Sequence, residues 1–474
     1  MKKTIMLMLG FVFGLLSNAQ DLIPVFPDAI GAGTGTVTWL DYDGDGDQDL
    51  LLTGFDPSET NATTLYQNDG TGSFSVVNNT GFYDLAISAI ATGDYNKDGA
   101  IDLFMMGSTL SNGTQADVYT NNGDGTFTAM EGDFHKVYMG SCNWVDYNND
   151  GFLDIFMTGY DDNASNVVSA LYVNDQNGNF TEVPNTGIES VQLSSSIWND
   201  FDGDGWEDVF VSGMGFGTPD IAKIYKNNGD DTFSVMQSFT SVWCSDVAIS
   251  DYDDDGDMDL IFAGYNTNSA SCLTFMMQNN GGVFTQVADN IIGVSHPGIA
   301  WGDYNMDGKE DLFITGAHQP ADNQMAKLYT HQEDNSFEDS NFFFDGLWWA
   351  DAAWGDMDND TDLDLIYIGE APDGSVHTYV YRNDIINSVE KHFADSPISI
   401  YPNPATESIS LSVFNTQFDN AKIVNILGET VWNKKELNTN KIDIQKLHPG
   451  VYFLQLIQNG EMQSIKFVKN KSNR

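Results

Sequence analysis

Basic residues are scarce in this chain. It has 19 Lys and Arg against 69 Asp and Glu, a formal net charge of -50. A surface of that sign repels nucleic acid and anionic lipid and attracts metal cations, so no nucleic-acid partner is expected. Cysteine is nearly absent. Cys142, Cys244 and Cys272 form an odd, sparse set that is no disulfide framework. They read as small buried hydrophobes, with a single bridge left open. Beyond the first nineteen residues no apolar run approaches the length of a membrane helix, so the mature chain is expected to carry no integral membrane segment. The seven His lie at unrelated places, none pairs at zinc spacing, and there is no phosphate loop or Gly-x-Ser-x-Gly. The expectation is therefore that the chain is not an enzyme and binds rather than catalyses. A polysaccharide-active enzyme, hydrolase or lyase, hidden among the abundant carboxylate pairs is the alternative.

The chain has its own internal boundaries. Lys2 and Lys3, the apolar stretch Thr4–Leu16, and the small residues Ser17 and Ala19 read as a signal peptide over 1–19. Residues 21–390 hold 62 acids against 7 bases, whereas 397–474 hold 6 acids against 9 bases. Two physically different segments therefore meet near residue 390. The expected layout is a repeat region over 20–385, a linker over 386–396 and a separate domain over 397–474.

One acidic motif organises the first segment. It starts at Asp41, Asp94, Asp146, Asp200, Asp251, Asp303 and Asp356, with spacings of 53, 52, 54, 51, 52 and 53 residues. Each unit continues with an apolar run such as Leu50–Thr53, a variable polar loop, a strand-like segment ending in an Asn/Gly turn, and a fourth short run. Four short strands per unit of about fifty residues predict a propeller blade. The seventh unit stops at Tyr379–Asp384 without its last strand. Ile23–Phe26 resembles the missing run, so the N-terminal segment is expected to complete the last blade and leave no open edge. The predicted fold class is all-β: a seven-bladed β-propeller followed by a small Ig-like β-sandwich.

The motif reads Asp-x-Asp/Asn-x-Asp-Gly-x-x-Asp. Oxygen ligands from positions 1, 3, 5 and 9, with a carbonyl from position 7, suit a hard cation of calcium size. The candidate ligands are Asp41, Asp43, Asp45, Asp47 and Asp49 in the first loop, and Asp94, Asn96, Asp98, Ala100 and Asp102 in the second. Asp146, Asn148, Asp150, Phe152 and Asp154 form the third set, and Asp200, Asp202, Asp204, Trp206 and Asp208 the fourth. Asp251, Asp253, Asp255, Asp257 and Asp259 follow, then Asp303, Asn305, Asp307, Lys309 and Asp311, then Asp356, Asp358, Asp360, Asp362 and Asp364. An EF-hand would need a bidentate Glu at position 12. That position is apolar in all seven, from Leu52 to Tyr367. The loops are therefore expected to join strands and to hold up to seven structural Ca²⁺, the seventh least surely because Thr361 replaces the Gly.

These repeats resemble the FG-GAP/VCBS family, whose relatives include the integrin α-subunit propeller and some fungal lectins. The resemblance implies a seven-bladed ring with each calcium loop between the first and second strands of a blade. The C-terminal stretch ISIYPNPATESISL, VNILGETVW, LHPGVYFLQL and IKFVKNK resembles the type A sorting domain of the type IX secretion system. That implies the type IX machinery as a partner, and release or display at the outer cell surface after periplasmic transit.

Aromatics of the opposite face are the candidate ligand site. Eight residues before each first Asp stand Gly33, Ala86, Tyr138, Gln192, Trp243, Ser295 and Trp348, followed in two cases by His296 and Trp349. Phe55, Tyr160 and Tyr265 open the loops after the second strands. Aromatics amid polar residues fit a glycan or an extracellular protein ligand. Trp39, Trp144, Trp198, Trp301 and Trp354 recur two residues before the first Asp and are expected to pack between blades.

Overall fold

The computed structural model describes residues 20–25, 32–58, 60–110, 113–130, 132–287, 290–319, 323–385, 400–411, 418–425, 430–437, 439–458 and 461–471. The expected leader and linker lie outside them. The described residues form nine antiparallel sheets of three to five strands and no helix. No helix among them is long and apolar enough to cross a membrane. Two compact units are present, the larger spanning Leu22–Asn383.

Seven sheets of the larger unit share one plan. The first is Val37–Leu40, Asp49–Phe55, Asn61–Asn68 and Phe74–Val76, in that order. Its second strand, DLLLTGF, is buried on both faces, as are its six counterparts. Continuous apolar runs belong to strands covered on both sides. The seventh sheet orders Gln20–Val25, Val376–Ile385, Asp364–Glu370 and Trp348–Gly355. The N-terminal strand thus fills the outer place the seventh unit lacks, as expected of Ile23–Phe26; Phe26 itself lies outside the described residues.

Neighbouring sheets are held by three repeated devices. Hydrophobic clusters span the junctions between them. One joins Val37, Leu50 and Leu52 of the first sheet to Met357, Ile366 and Ile368 of the seventh. Three of the recurring tryptophans pack on a glycine of the neighbouring sheet. A Cβ on Gly93, Gly302 or Gly355 would come within about 3 Å of Trp144, Trp354 or Trp39, so the expected packing role holds for them. The third device is an asparagine. The carboxamides of Asn121, Asn174, Asn227 and Asn279 donate to Tyr42, Tyr95, Tyr147 and Phe201 O of the preceding sheet at 2.7–3.2 Å. Asn383 donates to Tyr304 O at 2.7 Å, and Asn68 of the first sheet to Met357 O of the seventh at 2.7 Å. In the sixth sheet His331 takes the asparagine's place, its ring 5.9 Å from that of Tyr252.

Asn68→Ala tests the junction between the first and last repeats. It leaves the buried Met357 carbonyl without its donor, at a cost of about 1–3 kcal/mol. Calorimetry is expected to show the same fall in melting temperature as for Asn174→Ala at an internal junction. A much smaller fall for Asn68→Ala would mean that the first and seventh sheets are only loosely joined.

In the C-terminal unit, Ile400–Tyr401, Ser408–Leu411 and Lys441–Asp443 form one sheet. Thr430–Leu437, Phe418–Asn425, Gly450–Gln458 and Glu461–Lys469 form another. They share one core that includes Ile409, Leu411, Phe418, Ile423, Leu454 and Phe467. The three cysteines are buried and unbridged, as their sparse number suggests.

Candidate functional site

Each acidic loop connects the first and second strands of a sheet and folds around its first aspartate. The N–H five residues on donates to that carboxylate in every loop. The bond runs from Gly46 to Asp41 (3.1 Å), Gly99 to Asp94 (2.9 Å), Gly151 to Asp146 (2.8 Å) and Gly205 to Asp200 (2.8 Å). Gly256 to Asp251 (3.0 Å), Gly308 to Asp303 (2.8 Å) and Thr361 to Asp356 (3.0 Å) complete the series. This donor has φ between +86° and +94° in the six glycine loops, and Thr361 is forced to +80°. A β-branched residue there is strained by about 1 kcal/mol or more. A Cβ at the equivalent glycines would meet nothing, save the far end of the Lys97 side chain at Gly151, so the strain is internal to the residue. Thr361→Gly is expected to raise stability by about 1 kcal/mol, read as a higher melting temperature.

The last aspartate of each loop is buried: Asp49, Asp102, Asp154, Asp208, Asp259, Asp311 and Asp364 are at most 1% exposed. One oxygen accepts the N–H of the residue at the end of the third strand, from Asn68 (2.8 Å) through Asn383 (2.7 Å). The other oxygen, Oδ2, has no hydrogen-bond partner in Asp102, Asp154, Asp208, Asp259 and Asp311. Burial, with the neighbouring loop carboxylates, pushes these acids up: Asp49 to about 6, Asp102, Asp154, Asp208 and Asp259 to about 7, Asp311 and Asp364 to about 8. In four loops three carboxylates bring oxygens within 4.8 Å of one another: Asp41, Asp43 and Asp45; Asp200, Asp202 and Asp208; Asp251, Asp253 and Asp255; Asp356, Asp358 and Asp360. These groups can hold a metal ion. Buried oxygens without donors, in a purely oxygen set, fit a hard divalent cation.

The first strands carry a second feature. Seven residues before each first Asp, the chain bulges and φ turns positive, between +45° and +58°, at Thr34, Ile87, Met139, Leu193, Cys244, His296 and Trp349. Backbone bonds connect these bulges from sheet to sheet. Ile87 N–H donates to Thr34 O (2.6 Å), Met139 to Ile87 (3.4 Å), Leu193 to Met139 (2.5 Å), and Thr34 to Trp349 (3.3 Å). All seven bulges line one cavity of about 120 Å³, together with Gly35, Ser88, Gly140, Ser194, Ser245, Pro297 and Ala350.

Of the eight aromatic candidates, His296 and Trp349 line this cavity. Their rings are 4.1 Å apart, and Trp348 stands 5.4 Å from His296. Burial pulls His296 down to about 4, so its imidazole is neutral at neutral pH. Trp243 pairs with Tyr265 (5.4 Å), and Tyr138 with Tyr160 (6.1 Å). Those pairs do not line the cavity. Tyr160 also meets Phe216 at 6.1 Å, an exposed aromatic from the next sheet that the repeat alignment does not single out. Phe55 instead exchanges backbone bonds with Gly33.

Two carboxylates stand outside the residues that the motif singles out. Five residues before the first Asp are Thr36, Ala89, Ser141, Ser195, Asp246, Gly298 and Asp351. Asp246 and Asp351 are the only acids on the described first strands. Asp246 accepts from Val247 N–H (2.8 Å) and from Ile299 N–H of the next sheet (2.9 Å). Asp351 accepts from Ala352 N–H (2.9 Å) and from Val37 N–H of the first sheet (2.9 Å). Burial raises both. Asp246 rises to about 7, with the charge of Asp351 adding to it, and Asp351 to about 6.

Residues 41–105, 146–211, 200–262 and 251–314 match the FG-GAP-like repeat family, and residues 399–470 match the secretion system C-terminal sorting domain. The sorting domain marks the chain as secreted or displayed at the cell surface. No curated protein matches it. Among solved structures, it is similar to rhamnogalacturonan lyase YesW, with 12% identity, TM-score 0.39, and coverage of 76% of this chain and 74% of that one. It is also similar to an exo-β-1,3-galactanase from Phanerochaete chrysosporium (10%, TM-score 0.31, 96% and 97%). A sucrose-6-phosphate hydrolase from Lactobacillus gasseri matches as well (9%, TM-score 0.31, 94% and 89%). At these scores the likeness carries nothing about substrate. The matched structures are nonetheless enzymes of carbohydrate chemistry, and the expectation that the chain is not an enzyme is corrected. That expectation assigns nearly every clustered Asp to metal and leaves out Asp246 and Asp351, which stand apart from the loops.

Proposed function

We propose, from the premise that the chain carries FG-GAP-like repeats and ends in a secretion system C-terminal sorting domain, that it is an exported, calcium-loaded enzyme cleaving a neutral polysaccharide. In this reading the seven sheets are the blades of a closed propeller, an Ig-like sandwich follows, and the type IX machinery exports the chain. The seven acidic loops hold structural Ca²⁺ through positions 1, 3, 5, 7 and 9. The ions neutralise the loop carboxylates and take no part in the chemistry.

The observation that carries the catalytic reading is the placement of Asp246 and Asp351. They are the only acids on the described first strands, they lie two residues beyond the bulges that line the cavity, and burial raises both, with the charge of Asp351 adding to the rise of Asp246. Two buried carboxyls that hinder each other's ionisation divide the roles of acid and base. Asp246, the weaker acid, keeps its proton and gives it to the departing glycosidic oxygen. Asp351, ionised, takes a proton from the water that adds to the anomeric carbon. One water is consumed and one sugar–oxygen bond is exchanged for two hydroxyl-bearing ends. His296, Trp348 and Trp349 offer the faces on which a sugar ring stacks. The acidic surface favours an uncharged polymer over a polyuronate.

The test is a panel of neutral and anionic polysaccharides incubated with the mature protein in buffered calcium, with new reducing ends measured. Release from a neutral polymer is expected. A polymer that is bound and never cut, across the panel, would sink the catalytic reading.

A further inference from the structure

The residue just before the recurring asparagine near the end of each third strand, or before His331 in the sixth sheet, is not arbitrary. In order it is Gln67, Thr120, Val173, Lys226, Gln278, Thr330 and Arg382. It tracks the third position of the acidic loop in the same sheet. Where that position is Asp (Asp43, Asp202, Asp253, Asp358), the partner is Gln, Lys, Gln or Arg. Where it is Asn (Asn96, Asn148, Asn305), the partner is Thr, Val or Thr.

The contacts explain the match. Gln67 Nε2 donates to Asp43 Oδ2 at 2.7 Å, and Gln278 Nε2 donates to Asp253. Lys226 Nζ bonds Asp202 and lies 2.7 Å from Asp204 Oδ2, thus touching positions 3 and 5 of one loop. Arg382 Nε stands 3.8 Å from Asp358 Oδ2. Thr120 and Thr330 turn instead to the hydroxyls of Tyr95 and Tyr304, each at 2.8 Å. Two of the seven loops therefore already hold a side-chain cation against the oxygens that a metal would use. In the fourth loop the close carboxylate group is Asp200, Asp202 and Asp208, whereas the others use positions 1, 3 and 5. Lys226 engages both Asp202, which stays in that group, and Asp204, which does not.

We infer that Lys226 and Arg382 are resident counter-cations, so that the fourth and seventh loops bind calcium more weakly than the other five and stay neutralised when calcium is withdrawn. This rests on the calcium reading of the loops. Lys226, at hydrogen-bond distance, competes directly with the ion, Arg382, with Nε at 3.8 Å, acts through its charge, and partial exposure screens the effect to about tenfold in affinity. The strain at Thr361 also bears on the seventh loop, so the fourth is the cleaner case.

Lys226→Gln is the decisive variant, because the chain itself places Gln there in the first and fifth loops. Calcium is titrated calorimetrically into the metal-free mature protein. The native chain is expected to show five tighter sites and two weaker ones. K226Q moves one weak site into the tight class, by about tenfold. R382Q does the same at the seventh loop, and carries the test if K226Q does not fold. In chelator, K226Q is expected to melt below the native chain, because the loop then has neither cation. K226R restores both the weak site and the metal-free melting temperature. Isotherms and metal-free melting that are the same in the native chain, K226Q and R382Q overturn the inference alone. A native chain that binds no calcium overturns it together with the calcium reading.

Discussion

A chelator lowers the melting temperature of the repeat region by about 20 °C near neutral pH, and added calcium restores it. Each site at calcium ten times its dissociation constant contributes roughly 1.4 kcal/mol, and seven supply on the order of 10 kcal/mol. For a chain of this length that is about 2 °C per kcal/mol. The difference grows with pH. The last aspartates of the loops sit at about 6 to about 8 in the metal-free fold, well above an ordinary carboxyl near 4. A group raised on folding contributes stability below its unfolded value and loses it as pH climbs through the folded one. The metal-free protein is thus most stable near pH 4 and weakens steadily to about pH 8. The calcium form does not follow it, because the ion takes the place of the proton. Melting curves at about pH 5 and about pH 8, with and without chelator, check this. Parallel curves would mean that the carboxylates are not what the ion neutralises.

Asp246→Asn lowers turnover of the cleaved polysaccharide by about 10²–10⁴-fold, the usual weight of a general acid or base. The amide keeps the shape and one accepting oxygen, sets its NH2 against the second backbone N–H that the carboxylate accepts, and has no proton to give at neutral pH. Asp351→Asn removes the base and is expected to cost as much. The two losses should not add, since acid and base act in one step. The pH–rate profile carries the finer signature: activity falls below about 6 as Asp351 takes a proton and above about 7 as Asp246 loses one. A merely structural role would lower the melting temperature and leave the profile of the remaining activity unmoved.

The repeat, the acidic loops and the strand that completes the seventh sheet are legible in the sequence because each is written in residue types. Aspartate at fixed intervals, with a tryptophan two residues upstream in five of the seven repeats, is a pattern that few folds besides stacked repeats would demand. The bulges at the cavity are not legible, and the reason is physical. Thr34, Ile87, Met139, Leu193, Cys244, His296 and Trp349 share no chemistry, and none is the glycine or asparagine that positive φ favours. Backbone bonds to the neighbouring sheet hold Thr34, Ile87, Met139, Leu193 and Trp349 in that conformation. Asp246 and Asp351 lie in plain view in the aligned repeat, but the metal loops supply so many carboxylates that two more do not stand out. The pairing of Lys226 with Asp202 shows as covariation between repeats, and only the contact says why. Aromatic position alone sets Trp243 and Tyr138 beside a cavity that they do not line.

The asparagine bonds bear on how such a chain gains or loses units over generations. Every sheet of the larger unit but the sixth lends a carboxamide to the one before it, and the first lends its own to the seventh. An open stack can drop a terminal repeat and keep the rest. Here the first sheet bonds to the seventh, so neither has a free outer side. Deleting about fifty residues anywhere leaves a donor and a carbonyl that meet again only if all the remaining sheets shift to close the gap. Lineages of this architecture should therefore drift freely in loop length while their unit number stays frozen.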